Sequence, residues 1–211
     1  ILALERMAVR WQITGGTAEA IWREDARNYI RDEKTYQAIE WVDADFIVRW
    51  VEPESGNEQA IGFNLAAEED RRNGLEMARH RDGFTLTRVI DLVQGGKGFL
   101  AFRPLRNAAG FDGFLLGVFR VQQVIEGGVD EELRRHHRIR LFEGDELVLE
   151  TGAAVEELRT DWAVSETVMI ENAKWRIEFT PTADYLVDFQ SALASVVLAS
   201  MSHELRSPLN V

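Results

Sequence analysis

Strand-like runs that alternate with short turn signals are the feature that most constrains the fold of this chain. The first run, YQAIEWVDADFIVRWVEP, bends at residues 43–45, and FTLTRVIDLV, GFLAFRPL and GFLLGVFRV follow later. Val, Ile, Phe and Trp favour strands, and the intervening QGGKG and RNAAGFDG favour turns. The pattern predicts a hairpin followed by three more strands.

A helical segment separates the hairpin from those three strands. Residues 65–83 carry Leu65, Leu75 and Met77 among many charges, and Gly83 is a suitable stop for a helix. Five strands with a helical crossover predict an antiparallel sheet with helices on one face, which is an α+β architecture.

A second, smaller group of strands lies further along the chain. Its runs are RIRLFEGDELVLE, WAVSETVMI and KWRIEFTP, with turn signals at residues 143–145 and 171–173. Residues 121–135, between the two groups, have a helical pattern. The sequence therefore predicts two antiparallel sheets in tandem.

Both ends of the chain are predicted to be helical. Leu4, Met7, Ala8 and Trp11 recur at the spacing of one helix face. Thr17 is the predicted N-cap of a second helix, in which Trp22, Ala26 and Tyr29 share a face. A closing helix is predicted from Thr182 through Leu198.

Charge and composition exclude several classes of function. The 211 residues include 36 acidic and 24 basic side chains, a formal charge of −12. Nucleic acid and anionic membrane surfaces attract clustered positive charge, so neither is the expected partner. The absence of cysteine excludes disulfides, thiolate metal sites and a cysteine nucleophile. No metal site is predicted at His136 and His137, because adjacent side chains point to different sides of an element.

The first group of strands and its helix carry a family resemblance. AIEWVDADFIVRWVEP, GFNLAAEEDRRNGLEMAR, LVQGGKGFLAFRPL and FDGFLLGVFRV together resemble the CHASE family of extracytoplasmic sensor domains. The resemblance implies N-terminal stalk helices (1–34), a distal PAS-like ligand-binding lobe (35–125) and a smaller membrane-proximal lobe (126–181). A C-terminal signalling helix (182–211) completes this organisation.

In a PAS-like lobe, a ligand binds between the sheet and its covering helices. Large or charged residues on the predicted strands are therefore the candidates for ligand contact, with packing in the core as the alternative. These candidates are Trp41, Arg88, Phe99, Phe102, Arg103 and Phe119.

The last residues resemble a second family. MSHELRSPLN agrees over ten consecutive residues with the H-box of sensor histidine kinases. The resemblance implies that His203 accepts a phosphoryl group, and that Arg206 and Asn210 help to dock an ATP-binding domain. Neutral imidazole is a suitable nucleophile near neutral pH, and Glu204 is placed to orient the ring and act as its base partner.

The helical spacing of this segment fits that chemistry. An apolar face leaves His203 pointing toward water, and Pro208 favours a bend just beyond it. The apolar face contains Leu198, Met201, Leu205 and Leu209.

These observations predict the ligand-sensing region of a two-component sensor histidine kinase that controls autophosphorylation at His203. A homodimer, a small-molecule ligand, an ATP-binding domain and a response regulator are the expected partners. ATP and Mg²⁺ are expected only for the complete kinase. The alternatives are a dimerising interaction module, or a CHASE-type sensor coupled to another output such as a nucleotide cyclase. An open cavity with a convergent polar group favours sensing, whereas a sealed, filled lobe favours the interaction module.

The predicted topology places the sensor outside the cytoplasm and the H-box inside it, in a membrane-associated parent protein. A bilayer-spanning helix needs about 20 apolar residues. The longest uncharged run near the junction, FQSALASVVLASMS at residues 189–202, has only 14. We therefore expect either that a membrane segment is missing at this junction or that sensor and kinase lie on the same side; the chain itself is expected to be soluble.

Overall fold

The computed structural model describes residues 1–67, 69–92, 95–154 and 158–185. The chain divides into two compact units, Ile1–Arg120 and Val121–Val211. The predicted signalling helix beyond residue 185, with His203 and Glu204, lies outside the described residues. Within the described ranges, no helix combines the length and the apolar character that crossing a bilayer requires.

The first unit contains a six-stranded antiparallel sheet. The six strands are β1 (Tyr36–Val42), β2 (Val48–Glu52), β3 (Thr85–Leu86), β4 (Ile90–Asp91), β5 (Lys97–Asn107) and β6 (Gly110–Arg120). They run in the order β2-β1-β6-β5-β3, and β4 also pairs with β5. The predicted hairpin is confirmed, since the Asp43 carboxylate accepts hydrogen bonds from the backbone N–H groups of Asp45 and Ile47 and so holds the turn.

The prediction of a single strand over residues 84–93 is wrong, because this segment forms two separate two-residue strands, β3 and β4. The Thr87 hydroxyl accepts the Leu100 N–H at 3.0 Å, a hydrogen bond that a backbone carbonyl accepts in a regular ladder. β3 and β4 each pair with β5, and this side-chain bond takes the place of a backbone bond to β5 just after β3.

Three α-helices, α1 (Leu2–Thr14), α2 (Glu19–Asp32) and α3 (Glu69–Arg79), belong to the first unit. It also contains two short 3₁₀ helices, Glu58–Ala60 and Leu65–Ala67. The predicted apolar stripe of α1 is confirmed as its buried face. The predicted N-cap Thr17 is wrong, since Ala18 occupies that position and makes no side-chain capping bond. The helix α3 ends at Arg79 rather than near Gly83, because His80 and Arg81 close its last turn with tighter bonds to Met77 and Ala78.

Helices cover both faces of the first sheet, so the prediction of helices on one face is wrong. Trp41 and Arg103 face α1, where they contact Trp11 and Glu5. The opposite face packs against α3 in a core that includes Phe102, Leu116 and Leu75. The central strands β5 and β6 are buried almost continuously, as expected of strands covered on both sides.

The second unit contains a four-stranded antiparallel sheet and two short α-helices. The elements are α4 (Val121–Gly128), α5 (Glu131–His136), β7 (His137–Glu143), β8 (Glu146–Gly152), β9 (Val164–Ile170) and β10 (Ala173–Pro181). The strands run in the order β8-β7-β10-β9. The predicted turns around Gly144 and Asn172 are confirmed, and Asp130 caps α5 by accepting the Glu132 N–H at 2.7 Å. Two antiparallel sheets with helices confirm the predicted α+β class.

Candidate functional site

A small cavity lies in the first unit between the sheet and the segment that leads into α3. The space that the centre of a water molecule can reach is about 20 Å³, which is room for about one water. The unoccupied space around it, including open solvent at the mouth, is about 310 Å³. The lining residues are Glu40, Val48, Ala60, Phe63, Leu65, Arg71, Ile90, Leu92, Leu100 and Val118.

The floor of the cavity follows from the alternation of side chains along the strands. Leu100 and Val118 are direct cross-strand partners on β5 and β6. Ala38 pairs with Val118, and Glu40, two residues further along β1, therefore points to the same face. The sheet thus presents one carboxylate within an apolar floor.

The cover of the cavity is held to β2 by backbone hydrogen bonds. The Val48 N–H donates to the Phe63 carbonyl at 3.0 Å, and the Gly62 N–H donates back to the Val48 carbonyl at 2.8 Å. Leu65 continues this pairing through its bond to Phe46 at 2.9 Å. These bonds place Phe63 and Leu65 over the floor, immediately before α3.

Two charged side chains line this otherwise apolar cavity. Glu40 is 2% exposed and Arg71, on α3, is 5% exposed. Arg71 donates to the Asp91 carbonyl at 3.2 Å, and its guanidinium carbon lies 5.5 Å from the centre of the Phe63 ring. Buried charge is costly unless opposite charge or hydrogen bonds compensate it, so such groups are uncommon where packing alone is required.

None of the six predicted ligand residues lines this cavity. Trp41, Phe99, Arg103 and Phe119 lie on the opposite face of the sheet, whereas Phe102 packs in the core on the cavity side. Arg88 is exposed between β3 and β4.

The structure brings two of the predicted residues together as a ring pair. Phe99 and Phe119 are stacked with 5.0 Å between ring centres and 8° between planes, and Tyr36 contacts Phe119 at 4.7 Å. Burial raises the pKa of the Tyr36 hydroxyl, with the nearby Glu33 carboxylate as a smaller cause.

Arg103 borders a second, polar cavity, in which the space that the centre of a water molecule can reach is about 240 Å³. Its guanidinium makes two bonds to the Glu5 carboxylate on α1, at 2.6 and 3.0 Å. The other residues around this space are Ala8, Gln12, Asp82, Pro104 and Arg106. Arg106 donates to the Arg79 carbonyl, so both arginines tie neighbouring elements together.

Four tryptophans join α1 and α2 to the sheet face opposite Glu40. The ring centres of Trp41 and Trp50 are 4.3 Å apart, and Trp11 lies 5.3 Å from Trp41. Trp22 on α2 lies 5.6 Å from Trp50. Trp11 also donates to Asp112 at 2.8 Å. We call these four residues the tryptophan cluster.

In the second unit, two histidines pack against the end of the described chain. The His136 ring is stacked on Tyr185 at 4.6 Å, and His137 meets the same ring edge-on at 5.1 Å. Burial lowers the pKa of His137, a contact between its Nδ1 and the Leu133 carbonyl at 3.1 Å opposes this, and His136 contributes a smaller lowering. In the part of the chain that the structure describes, no three His, Asp or Glu side chains are grouped to hold a metal.

A family model places these features in a known group of sensor domains. The model of the CHASE domain matches residues 8–153, which is more than half of the chain. The chain belongs to the CHASE domain family. This match includes the cavity, the tryptophan cluster and the first strands of the second unit.

Several solved structures are similar in fold to this chain at low sequence identity. An extracellular ligand-binding receptor from Desulfohalobium retbaense DSM5692 is 14% identical with a TM-score of 0.63; the alignment covers 85% of this chain and 36% of the receptor chain. The ligand-binding domain of the Pseudomonas fluorescens chemoreceptor CtaA, solved with L-alanine, is 14% identical with a TM-score of 0.60, covering 88% of both chains.

A third similar structure is the extracellular domain of a proposed histidine kinase, rpHK1S-Z16. It is 13% identical with a TM-score of 0.57, and the alignment covers 87% of this chain and 85% of that domain. No curated protein sequence matches this chain. At these identities the similarity establishes the PAS-like fold of the two sheets.

Proposed function

We propose that this chain is the ligand-sensing region of a sensor histidine kinase, and that the cavity of the first unit binds a small molecule. The observation that carries this proposal is the presence of two buried charges, Glu40 and Arg71, in the wall of one apolar cavity. A convergent polar group in a cavity was the expectation for sensing rather than for a pure interaction module, and the two charged side chains in the wall support sensing. Membership of the CHASE family gives independent support.

The proposed output is phosphorylation of His203, supported by the likeness of MSHELRSPLN to the H-box. In the complete kinase, ATP would supply the phosphoryl group and Mg²⁺ its charge compensation. His203 would act as the nucleophile and Glu204 would orient its ring. We further propose a homodimer with the sensor outside the cytoplasm, the H-box inside, and a response regulator as the acceptor of the phosphoryl group.

The size of the cavity suggests how ligand binding is linked to this output. A space for about one water cannot hold an organic ligand, so binding must move the cover that contains Phe63 and α3. Glu40 and Trp41 are neighbours on β1 with opposite orientations, and Trp41 contacts α1 through Trp11. A ligand that shifts β1 would therefore shift the population of α1 packings.

A thermal-shift screen of a metabolite library against the chain tests the binding site. Ala60→Leu fills the cavity, and Ala173→Leu in the second unit is the matched control, since both alanines are buried. Ligands should raise the melting temperature of the wild type and of A173L but not of A60L. Ligands that stabilise A60L equally, or the absence of any ligand, would contradict the proposed site.

Autophosphorylation of the full-length protein with labelled ATP tests the output. His203→Gln should abolish incorporation of the label, and a ligand from the screen should change the rate in the wild type. Label retained by H203Q, or a rate that no bound ligand changes, would contradict the proposed control of a kinase.

A further inference from the structure

The polar cavity beside Arg103 lies at a free edge of the first sheet. β3 pairs with β5 only at Ala101 and Phe102, so beyond Phe102 the described strands leave β6 as the one neighbour of β5. Arg103 and Arg106 follow in this stretch and reach α1 and the end of α3, on opposite faces of the sheet. Both side chains border the cavity because no described strand covers this edge.

The opposite wall of the polar cavity is one face of α1. Glu5, Ala8 and Gln12 lie on the same side of this helix, because they are spaced three and four residues apart. Arg103 holds Glu5, whereas the short Ala8 leaves the space between its two neighbours open. The space that the centre of a water molecule can reach is about 240 Å³, against about 20 Å³ in the first cavity. A small organic molecule therefore fits here without displacement of a helix.

The polar groups of this lining have hydrogen-bonding capacity to spare. Arg106 is half-buried and donates to the Arg79 carbonyl, but it makes no ion pair with any residue that the structure describes. A guanidinium has five N–H donors, so Arg106 can still bind a group with two acceptor oxygens. Within the same described ranges, the side chains of Gln12 and Asp82 make no hydrogen bond with the protein.

We propose that the polar cavity is a further ligand site, for a small hydroxylated acid such as a sugar acid or a sugar phosphate. The acidic group lies at Arg106, and a hydroxyl group of the ligand donates to Asp82. Gln12 offers both a donor and an acceptor to the remaining hydroxyls. Because Gln12 belongs to α1 and Arg106 to β5, the bound acid joins the N-terminal helix to the sheet.

The two charged ends of the lining select this class of ligand. A guanidinium only donates hydrogen bonds and an ionised carboxylate only accepts them, so the ligand must accept at Arg106 and donate at Asp82. A neutral sugar forgoes the charge-assisted bonds to Arg106. A bare anion has no hydroxyl to donate and is repelled by Asp82. An acid with hydroxyl groups meets both requirements.

Calorimetric titration at low salt tests the class of ligand. The panel contains aldonic acids and sugar phosphates from trioses to hexoses, with the parent sugars and inorganic phosphate as references. We expect a member of the panel to bind, and its parent sugar and inorganic phosphate to bind at least about tenfold more weakly. Comparison of the two acid series identifies whether the acidic group is a carboxylate or a phosphate.

Arg106→Gln tests the position of the acidic group. This change should weaken binding of the tightest panel member at least about tenfold. Arg72→Gln is the matched control, because Arg72 also donates to one backbone carbonyl and the same charge is lost. It should bind as the wild type does. Gln12→Ala, at an exposed position of α1, should weaken binding about threefold without a change in melting temperature.

Asp82→Ala tests the hydroxyl contact with two probes of opposite response. The variant should bind the sugar acid or sugar phosphate more weakly, because a hydroxyl acceptor is lost. It should bind inorganic phosphate more tightly, because a repelling charge is lost. Misfolding would weaken both, so this pair of responses identifies the contact.

The outcomes are separable from those of the proposed function. Ala60→Leu fills the first cavity and should leave binding of the acid unchanged; loss of binding in A60L would place the acid in the first cavity and overturn this inference. Wild-type affinity in R106Q, or no binding by any member of the panel, would also overturn it. Equal affinity for inorganic phosphate would contradict the hydroxylated class. None of these three results bears on a ligand of the first cavity.

Discussion

At the scale of single residues, the position of a charge matters more than its type. Arg72 is exposed and bonds to the Ala66 carbonyl, whereas the adjacent Arg71 is buried in the cavity wall. Exposed ion pairs contribute about 0–1 kcal/mol to stability, but a charge that is buried and then loses its partner costs about 3–5 kcal/mol. Burial of the Arg71 guanidinium therefore depends on its partners, one of which is the Asp91 carbonyl.

His137 provides a test of stability against pH. Burial lowers its pKa in the folded state, so below the usual value of 6.5 the unfolded chain takes up more protons than the folded one. Stability should fall as the pH drops from about 7 through that range. His137→Asn, which keeps a donor near the Leu133 carbonyl, should remove part of this fall. Melting temperatures between pH 7 and pH 5 measure it, and parallel curves for the two proteins would contradict the assignment.

The residues of the site illustrate what the sequence could not show. Large side chains on predicted strands were the expected ligand contacts, and this stays a prediction; the structure stacks two of them, Phe99 and Phe119, against each other. Glu40 carried a usable signal, since it is a lone charge inside the apolar run AIEWV. Arg71 carried none, because it stands in EEDRRNG among charges of both signs and only the packing of α3 distinguishes it.

At the scale of elements, the apolar runs of the sequence predicted most of the strands but not how many faces of the first sheet the helices cover. Runs such as GFLLGVFRV have no alternation of apolar and polar residues, and this indicates a sheet that is covered on both faces. The prediction of one covered face ignored that signal. Turn residues were more informative, because the hairpin at Asp43 and both turns of the second sheet were predicted correctly. Between β3 and β4, the Thr87 hydroxyl accepts a hydrogen bond from the Leu100 N–H. The spacing of apolar residues in the sequence gives no sign of such a bond, so the division into two strands was not predicted.

The pairing of β1 with β6 requires a glycine at position 113. Its φ of +108° is unfavourable for other residues, and a Cβ atom there would lie 2.1 Å from the Val42 carbonyl oxygen. Gly113→Ala should reduce the free energy of unfolding by about 2 kcal/mol or more. Gly83→Ala is the matched control, with nothing within 4 Å of the added Cβ, and should change stability by less than about 0.5 kcal/mol. Urea unfolding compares them, and equal midpoints would contradict the close approach of the strands.

At the scale of the whole molecule, the proposed function requires that a ligand in the cavity changes the activity of a kinase. The cavity and the tryptophan cluster lie on opposite faces of the same strand, β1. Interiors are close-packed, so under the proposed function a displacement of β1 by the ligand would be passed to α1 and α2 through the contacting rings. A substitution in the tryptophan cluster that leaves the cavity intact should therefore weaken the response of the kinase to the ligand without weakening ligand binding.

Trp41→Leu in the full-length protein tests this separation. The side chain points away from the cavity, so ligand affinity should stay within about threefold of the wild type, whereas the loss of its contacts with Trp11 and Trp50 should weaken the coupling. The ratio of autophosphorylation rates with and without ligand should move toward one. Trp162→Leu, at an exposed position of the second unit, is the control and should keep the wild-type ratio. A wild-type ratio in W41L would mean that the signal leaves the cavity by another path, through α3, and not through the cluster.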